Sequence, residues 1–92
     1  MNITRINSFE SADGKEDECL EFLESLLPYI LSSRGCMSCE VLQHQKKENQ
    51  FVVIEKWQSK EDHENSLKSF PKAEMEAAMP LFGGPPQGDY YI

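Results

Sequence analysis

The sequence has no long apolar run. Its longest, Leu26 to Leu31, is interrupted by Pro28 and falls far short of the ~20 residues that a membrane-spanning helix needs. Basic residues are also scarce: 9 Lys and Arg stand against 16 Asp and Glu, a formal net charge of −7. Such a surface repels phosphate backbones and anionic lipid, so neither nucleic acid nor a membrane is expected as a partner. Met1-Asn2-Ile3-Thr4-Arg5 lacks the basic start, apolar middle and small-residue cleavage site of a signal peptide. The expected location is the cytoplasm, where cysteines stay reduced.

Cysteine and histidine are few, at 3 and 2 residues. Cys36 and Cys39 form a C-x-x-C, but the segment reads as a strand, where side chains three apart point to opposite faces. No second cysteine or histidine pair exists to complete a metal site, and the motif does not open a helix as a thioredoxin-type site would. The cysteines are expected to be small apolar fillers. The Gly83-Gly84-Pro85-Pro86 stretch lacks the spacing of a phosphate-binding loop.

What is present suits one small folded domain spanning residues 1–92. Hydrophobic content of 39% and charged content of 27% are ordinary for a globular chain. The size limits the core and makes association with a second copy an attractive remedy. Glu16, Asp17, Glu18, Glu21 and Glu24 read as the solvated face of a helix.

The periodicities predict β-α-β-β-α-β. Ile3 to Phe9 is a first strand with Ile3, Arg5, Asn7 and Phe9 on one face. After the Asp13-Gly14 turn, Cys19, Phe22, Leu23, Leu26, Leu27 and Ile30 form a helical stripe, which Pro28 should kink and Arg34-Gly35 should end. Cys36 to Gln45 and Gln50 to Gln58 are expected to pair as a hairpin across Lys46-Lys47-Glu48-Asn49. In the second of these, Phe51 and Val53 share one face and Val52 and Ile54 the other. A strand apolar on both faces is covered on both. Two helices cover one side of a four-stranded sheet, so a second copy is expected on the other.

Ser59 should cap a second helix, with Asp62 three residues on and His63, Leu67 and Phe70 as its inward stripe. Phe70-Pro71 breaks it. A short helix then presents Met75, Ala78, Met79 and Phe82 on one face, and Tyr90-Tyr91-Ile92 is a short last strand.

Two segments resemble a known family. Gly35-Cys36-Met37-Ser38-Cys39-Glu40-Val41 is similar to the G-C-x-x-(Y/F)-E-(V/L) start of strand two in antibiotic biosynthesis monooxygenases. Gln50 to Ser59 is similar to that family's F-x-(V/L)-x-E-x-W-x-S strand three. The resemblance implies a ferredoxin-like α+β domain that dimerises into an α/β barrel. The family is functionally mixed: it includes oxygenases of polyketide aromatics, quinol monooxygenases, haem-degrading enzymes and an isomerase. Its oxygenases use no metal, flavin or haem, because their deprotonated substrates react with oxygen directly. The resemblance therefore implies a cofactor-free monooxygenase acting on a small phenolic, quinol or polyketide-like aromatic. A dimeric ligand-binding or stress-associated protein without turnover, and an isomerase or haem-binding relative, are the alternatives. Haem degradation fits poorly, because Ser66 and Glu74 or Met75 stand where that branch carries tryptophan and histidine.

Each candidate site residue has a plainer alternative. Asn7, where the haem-degrading branch also has a cavity-facing asparagine, offers an amide to a substrate oxygen or dioxygen; otherwise it is a polar strand residue. His63 has a pKa range suited to a general base, yet a histidine on an apolar helix face is commonly structural. Trp57 could stack on an aromatic or fill the core. Arg5 could pair with a phenolate, or with Glu55 across the strands. Phe51, Met75, Met79 and Phe82 would line an apolar cavity or form plain core. His44, near the hairpin turn, is expected to be exposed and without a role.

Overall fold

The computed structural model describes residues 2–92. Its elements run β1 (Ile3–Glu10), α1 (Glu16–Ser25), α2 (Leu27–Ser32), β2 (Cys36–Gln43), β3 (Gln50–Trp57), α3 (Lys60–Ser69), α4 (Lys72–Ala78) and β4 (Gln87–Tyr91), with a 3-10 turn at Met79–Leu81. The strands form one sheet in the order β2-β3-β1-β4, every neighbouring pair antiparallel. This is the expected ferredoxin-like α+β architecture, with each helical segment divided in two.

The divisions have local causes. Leu26 closes α1 and precedes α2, whose first turn contains Pro28. A proline there forfeits a donor that has no helical partner anyway, so the chain restarts a helix instead of kinking one. Ser59 caps α3 as expected, its Oγ accepting the Asp62 N–H at 3.1 Å. Pro71 separates α3 from α4.

Alternation along β3 decides where the core sits. Phe51, Val53, Glu55 and Trp57 are buried beneath the helices, while Gln50, Val52 and Ile54 on the other face are half-buried. Cys19 and Leu23 of α1 pack on Phe51 and Val53, each larger apolar side chain contributing about 1.5–3 kcal/mol by leaving water. Cys19 is a buried filler there, as expected. Among the described residues no helix covers the opposite sheet face, which shows Ile6, Val52 and Ile54 half-buried beside exposed Leu42 and Tyr91.

Three further expectations are corrected. A bulge between Cys36 and Ser38 puts Cys36 opposite Trp57 and Cys39 opposite Glu55, so both cysteines lie on the helix side of the sheet. The extra residue cancels the alternation on which opposite faces were expected. The last strand begins three residues earlier than its aromatic pair suggested, because backbone pairing with β1 runs from Ser8↔Gln87 to Thr4↔Tyr91. His44 is exposed but not idle: its Nδ1 accepts the N–H groups of Lys46 and Lys47, each at 3.0 Å, and so shapes the hairpin turn.

Candidate functional site

Antiparallel pairing of β1 with β3 sets Arg5 opposite Glu55 and Asn7 opposite Val53, all on the face beneath the helices. Asn7 Nδ2 donates to Glu55 Oε2 at 2.9 Å, and Trp57 Nε1 donates to Glu55 Oε1 at 3.0 Å. The cross-strand Arg5–Glu55 pair expected from sequence is replaced by a relay: Arg5 Nε donates to Asn7 Oδ1 at 2.9 Å. The amide thus faces the cation with its oxygen and the carboxyl with its nitrogen, which fixes its orientation.

From α3, His63 reaches into this cluster and is only 2% exposed. Its Nδ1 lies 2.6 Å from the Tyr90 hydroxyl and its Nε2 is 3.9 Å from Glu55 Oε1. The imidazole packs edge-on against Trp57 and Tyr90, at centroid distances of 5.5 and 5.4 Å. Arg5 lies 4.7 Å from the centroid of the Tyr90 ring, so a cation without a carboxylate contact among the described residues is held by an amide and a π face.

Burial dominates the titration of this cluster. It pushes the Glu55 carboxyl above the ordinary 4.5, against the opposing pull of the Trp57 hydrogen bond, the Arg5 charge and the Asn7 amide. It depresses His63 to about 4, with the Arg5 charge adding to the effect, so the imidazole is neutral at pH 7 and its approach to Glu55 is no ion pair. Tyr90 is raised, again chiefly by burial. Cys39 is pushed up to about 12 by burial and the nearby Glu55 charge, which leaves it an unreactive thiol.

Beside the cluster lies a cavity of about 330 Å³. Asn7, Phe9, Val53 and Glu55 form its floor, residues of α1 and α2 one wall, and residues of α3 and α4 the other. Aromatic rings shape it: Phe82 packs on Phe9 and Phe22 at 5.6 and 6.1 Å, and Tyr29 on Phe70 at 5.1 Å. Tyr29 donates its hydroxyl to the Ser66 carbonyl at 2.7 Å, tying α2 to α3 across the cavity. The result is a mainly apolar slot in which Asn7, Glu55 and His63 form a polar end, with Lys72 and Glu76 of α4 also on its lining. Among the described residues no group of three or more His, Cys, Asp and Glu is arranged to hold a metal ion.

The family model described as antibiotic biosynthesis monooxygenase matches residues 2–80. The chain belongs to this family. Solved structures agree on the fold. A Pseudomonas aeruginosa protein, PA3566, superposes with a TM-score of 0.87 at 18% identity, covering 98% of this chain and 91% of that one. Rv0793 from Mycobacterium tuberculosis gives 0.86 at 14%, covering 100% and 94%. A variant of SnoaB, a cofactor-independent oxygenase from Streptomyces nogalater, gives 0.82 at 16%, covering 99% and 91%. Identities this low establish the fold alone. No significant match was found among curated proteins.

Within this family member, the residues picked from sequence divide into three groups. Asn7, His63, Met75 and Phe82 line the cavity. Arg5 and Trp57 stand behind its polar end and act on Asn7 and Glu55. Phe51 is core, 2% exposed, and Met79 points away from the cavity, 57% exposed in the 3-10 turn. Met79 fits the helical spacing of Met75, but α4 ends at Ala78 and the tighter turn redirects the next side chain. Sequence reasoning missed Glu55 as a cavity residue and Tyr90 as the partner of His63. It also missed Gly88, which lies opposite Asn7 on β4. A methyl group there would fall on Asn7 Oδ1 and the Arg5 guanidinium, so only glycine leaves room for their contact.

Proposed function

We propose that this chain is a cofactor-independent monooxygenase that oxidises a small phenolic or quinol-type aromatic with dioxygen. The observation that carries the reading is the apolar slot closed at one end by Asn7, Glu55 and His63, and family membership supports oxygenase chemistry broadly. A quinol ring fills the slot and brings a hydroxyl to the polar end. Loss of that proton makes an electron-rich anion, and a water-excluding wall shields the anion and its peroxide from side reactions. The anion reduces dioxygen and a ring carbon–oxygen bond forms. The peroxide then loses water to leave a hydroxyquinone. One oxygen atom enters the product, the other leaves as water, and the substrate's own electrons balance the reduction. Asn7 uses one amide hydrogen on Glu55; the second serves a substrate or dioxygen oxygen. His63, neutral at pH 7, is available to hold or relay a proton.

Oxygen uptake by metal-stripped protein on a panel of hydroquinones and anthrones tests the reading. Uptake above the uncatalysed rate, lost on Asn7→Ala or His63→Ala, supports it; ligand binding without uptake would make the chain a binding protein. Gly88→Ala gives a sharper check. By displacing Arg5 from Asn7 it should lower turnover by about 10- to 100-fold, while circular dichroism shows the protein still folded.

The reading includes a homodimer through the open sheet face, in a cytoplasmic setting that keeps the three free thiols reduced. The apolar side chains of that face, Ile6, Val52, Ile54, Leu42 and Tyr91, are what a second copy would cover. Ile54→Asp puts a charge at the middle of that surface. Light scattering at micromolar concentration should show a wild-type dimer and a variant monomer; a wild-type monomer would remove the interface.

A further inference from the structure

We infer that Glu55 is the catalytic residue that takes the phenolic proton, held in place by Trp57 and Asn7. The inference rests on the oxygenase reading and names the base within it. Glu55 is the one deeply buried carboxyl on the cavity, 5% exposed; Glu76, the other carboxyl on the lining, is exposed. Each Glu55 oxygen accepts one neutral N–H, from Trp57 and from Asn7. That fixes the plane of the carboxylate without neutralising it. A carboxylate has about four acceptor positions, so positions remain for a substrate hydroxyl, and the cavity is where that hydroxyl arrives.

Neighbouring groups favour Glu55 over His63. Arg5, the cation nearest the carboxyl, is engaged by Asn7 Oδ1 and the Tyr90 ring and makes no ion pair with Glu55. His63 has Nδ1 committed to Tyr90 and is a weak acceptor, with a pKa of about 4. Glu55 shifts the other way, towards the phenols it would deprotonate, which improves the driving force for proton transfer. The groups facing Glu55 are Arg5 from β1, Cys36 and Cys39 from β2, His63 from α3 and Tyr90 from β4. Tyr29 of α2 and Lys72 and Glu76 of α4 lie across the cavity.

The step balances as a proton relay. The phenolic O–H bond breaks, its electron pair stays on oxygen, and the proton moves to Glu55. Dioxygen accepts electrons from the anion and bonds to a ring carbon as a peroxide anion. When the O–O bond breaks, the outer oxygen leaves as water with the hydrogen of that ring carbon and the proton returned by Glu55. The carboxylate is regenerated.

Glu55→Gln keeps the shape and a carbonyl acceptor but removes the base. With a hydroquinone turned over by the wild type, its kcat should fall by about 100-fold or more, while the Kd for that quinol under anaerobic conditions changes less than about 3-fold. Trp57, the single tryptophan, reports on its partner independently of turnover: its emission should titrate with a carboxyl above the ordinary glutamate range, and that step should vanish in the variant. Glu55→Asp, which keeps the charge but withdraws it by one methylene, should recover part of the rate with a displaced acid limb in the pH–rate profile. A merely structural glutamate would give no such recovery. An active wild type with Glu55→Gln within about 3-fold of its kcat would overturn Glu55 alone. Absence of uptake by the wild type on every substrate would end the oxygenase reading, and the base with it.

Discussion

Trp57→Ala is expected to bring the chain to the edge of unfolding. Its indole is among the largest fully buried side chains, with no exposed surface, and truncating a buried tryptophan costs about 3–5 kcal/mol. The same change strips Glu55 Oε1 of its donor, which adds about 1–3 kcal/mol for a buried acceptor left short. Against a total stability of about 5–15 kcal/mol for a domain, little remains. Urea unfolding followed by circular dichroism should show a much lower midpoint with an unchanged slope. Trp57→Phe, which keeps most of the packing and loses the hydrogen bond, should fall between the two. A loss under about 1 kcal/mol in Trp57→Ala would contradict the packing described for this strand.

Acid should destabilise the fold well before the surface carboxylates account for it. His63 titrates near 4 in the folded chain against 6.5 ordinarily. Between those values the unfolded chain holds a proton that the folded one lacks, so stability rises with pH across the window and falls on acidification. At about 1.36 kcal/mol per pKa unit, the gap is worth about 3 kcal/mol. Glu55 works the other way. Its folded pKa lies above 4.5, so above that value the folded chain holds the extra proton and stability declines as pH rises through the folded pKa. Stability measured from pH 6.5 down to 4 in wild type and His63→Phe separates the two. The variant should lose the His63 part of the slope, whatever its absolute stability; equal slopes would show that the imidazole is not held neutral.

Both results turn on residues of different legibility. The run Phe51-Val52-Val53-Ile54 announces a strand apolar on both faces, because period two sorts its side chains without knowledge of anything distant. Ser59 with Asp62 announces α3 in the same local way, but of the inward stripe expected there only His63 is buried, and Leu67 is 61% exposed. The family motif around Gln50 to Ser59 carries the fold for the same reason. The site is less legible because its contacts are remote in sequence. Asn7 and Glu55 are 48 residues apart, and His63 and Tyr90 are 27 apart. Only the register of β3-β1-β4 brings them together, and register is set by the whole sheet rather than by any one segment. Glu55 reads locally as a charged residue in a strand, which suggests an ion pair with Arg5. The structure interposes Asn7, and that small change turns a neutralised pair into a buried carboxyl without a cation in contact. The bulge at Met37 is hidden for a similar reason, since an extra residue in one strand shows only against its partner.

The most direct test of the central claim is the fate of dioxygen itself. Metal-stripped protein is incubated with a hydroquinone under isotopically heavy dioxygen in ordinary water, and the product is weighed by mass spectrometry at early time. One heavy oxygen atom is expected in each hydroxyquinone formed, with the other recovered as water. Product without heavy oxygen, or hydrogen peroxide formed in step with a simple quinone, would contradict an oxygenase.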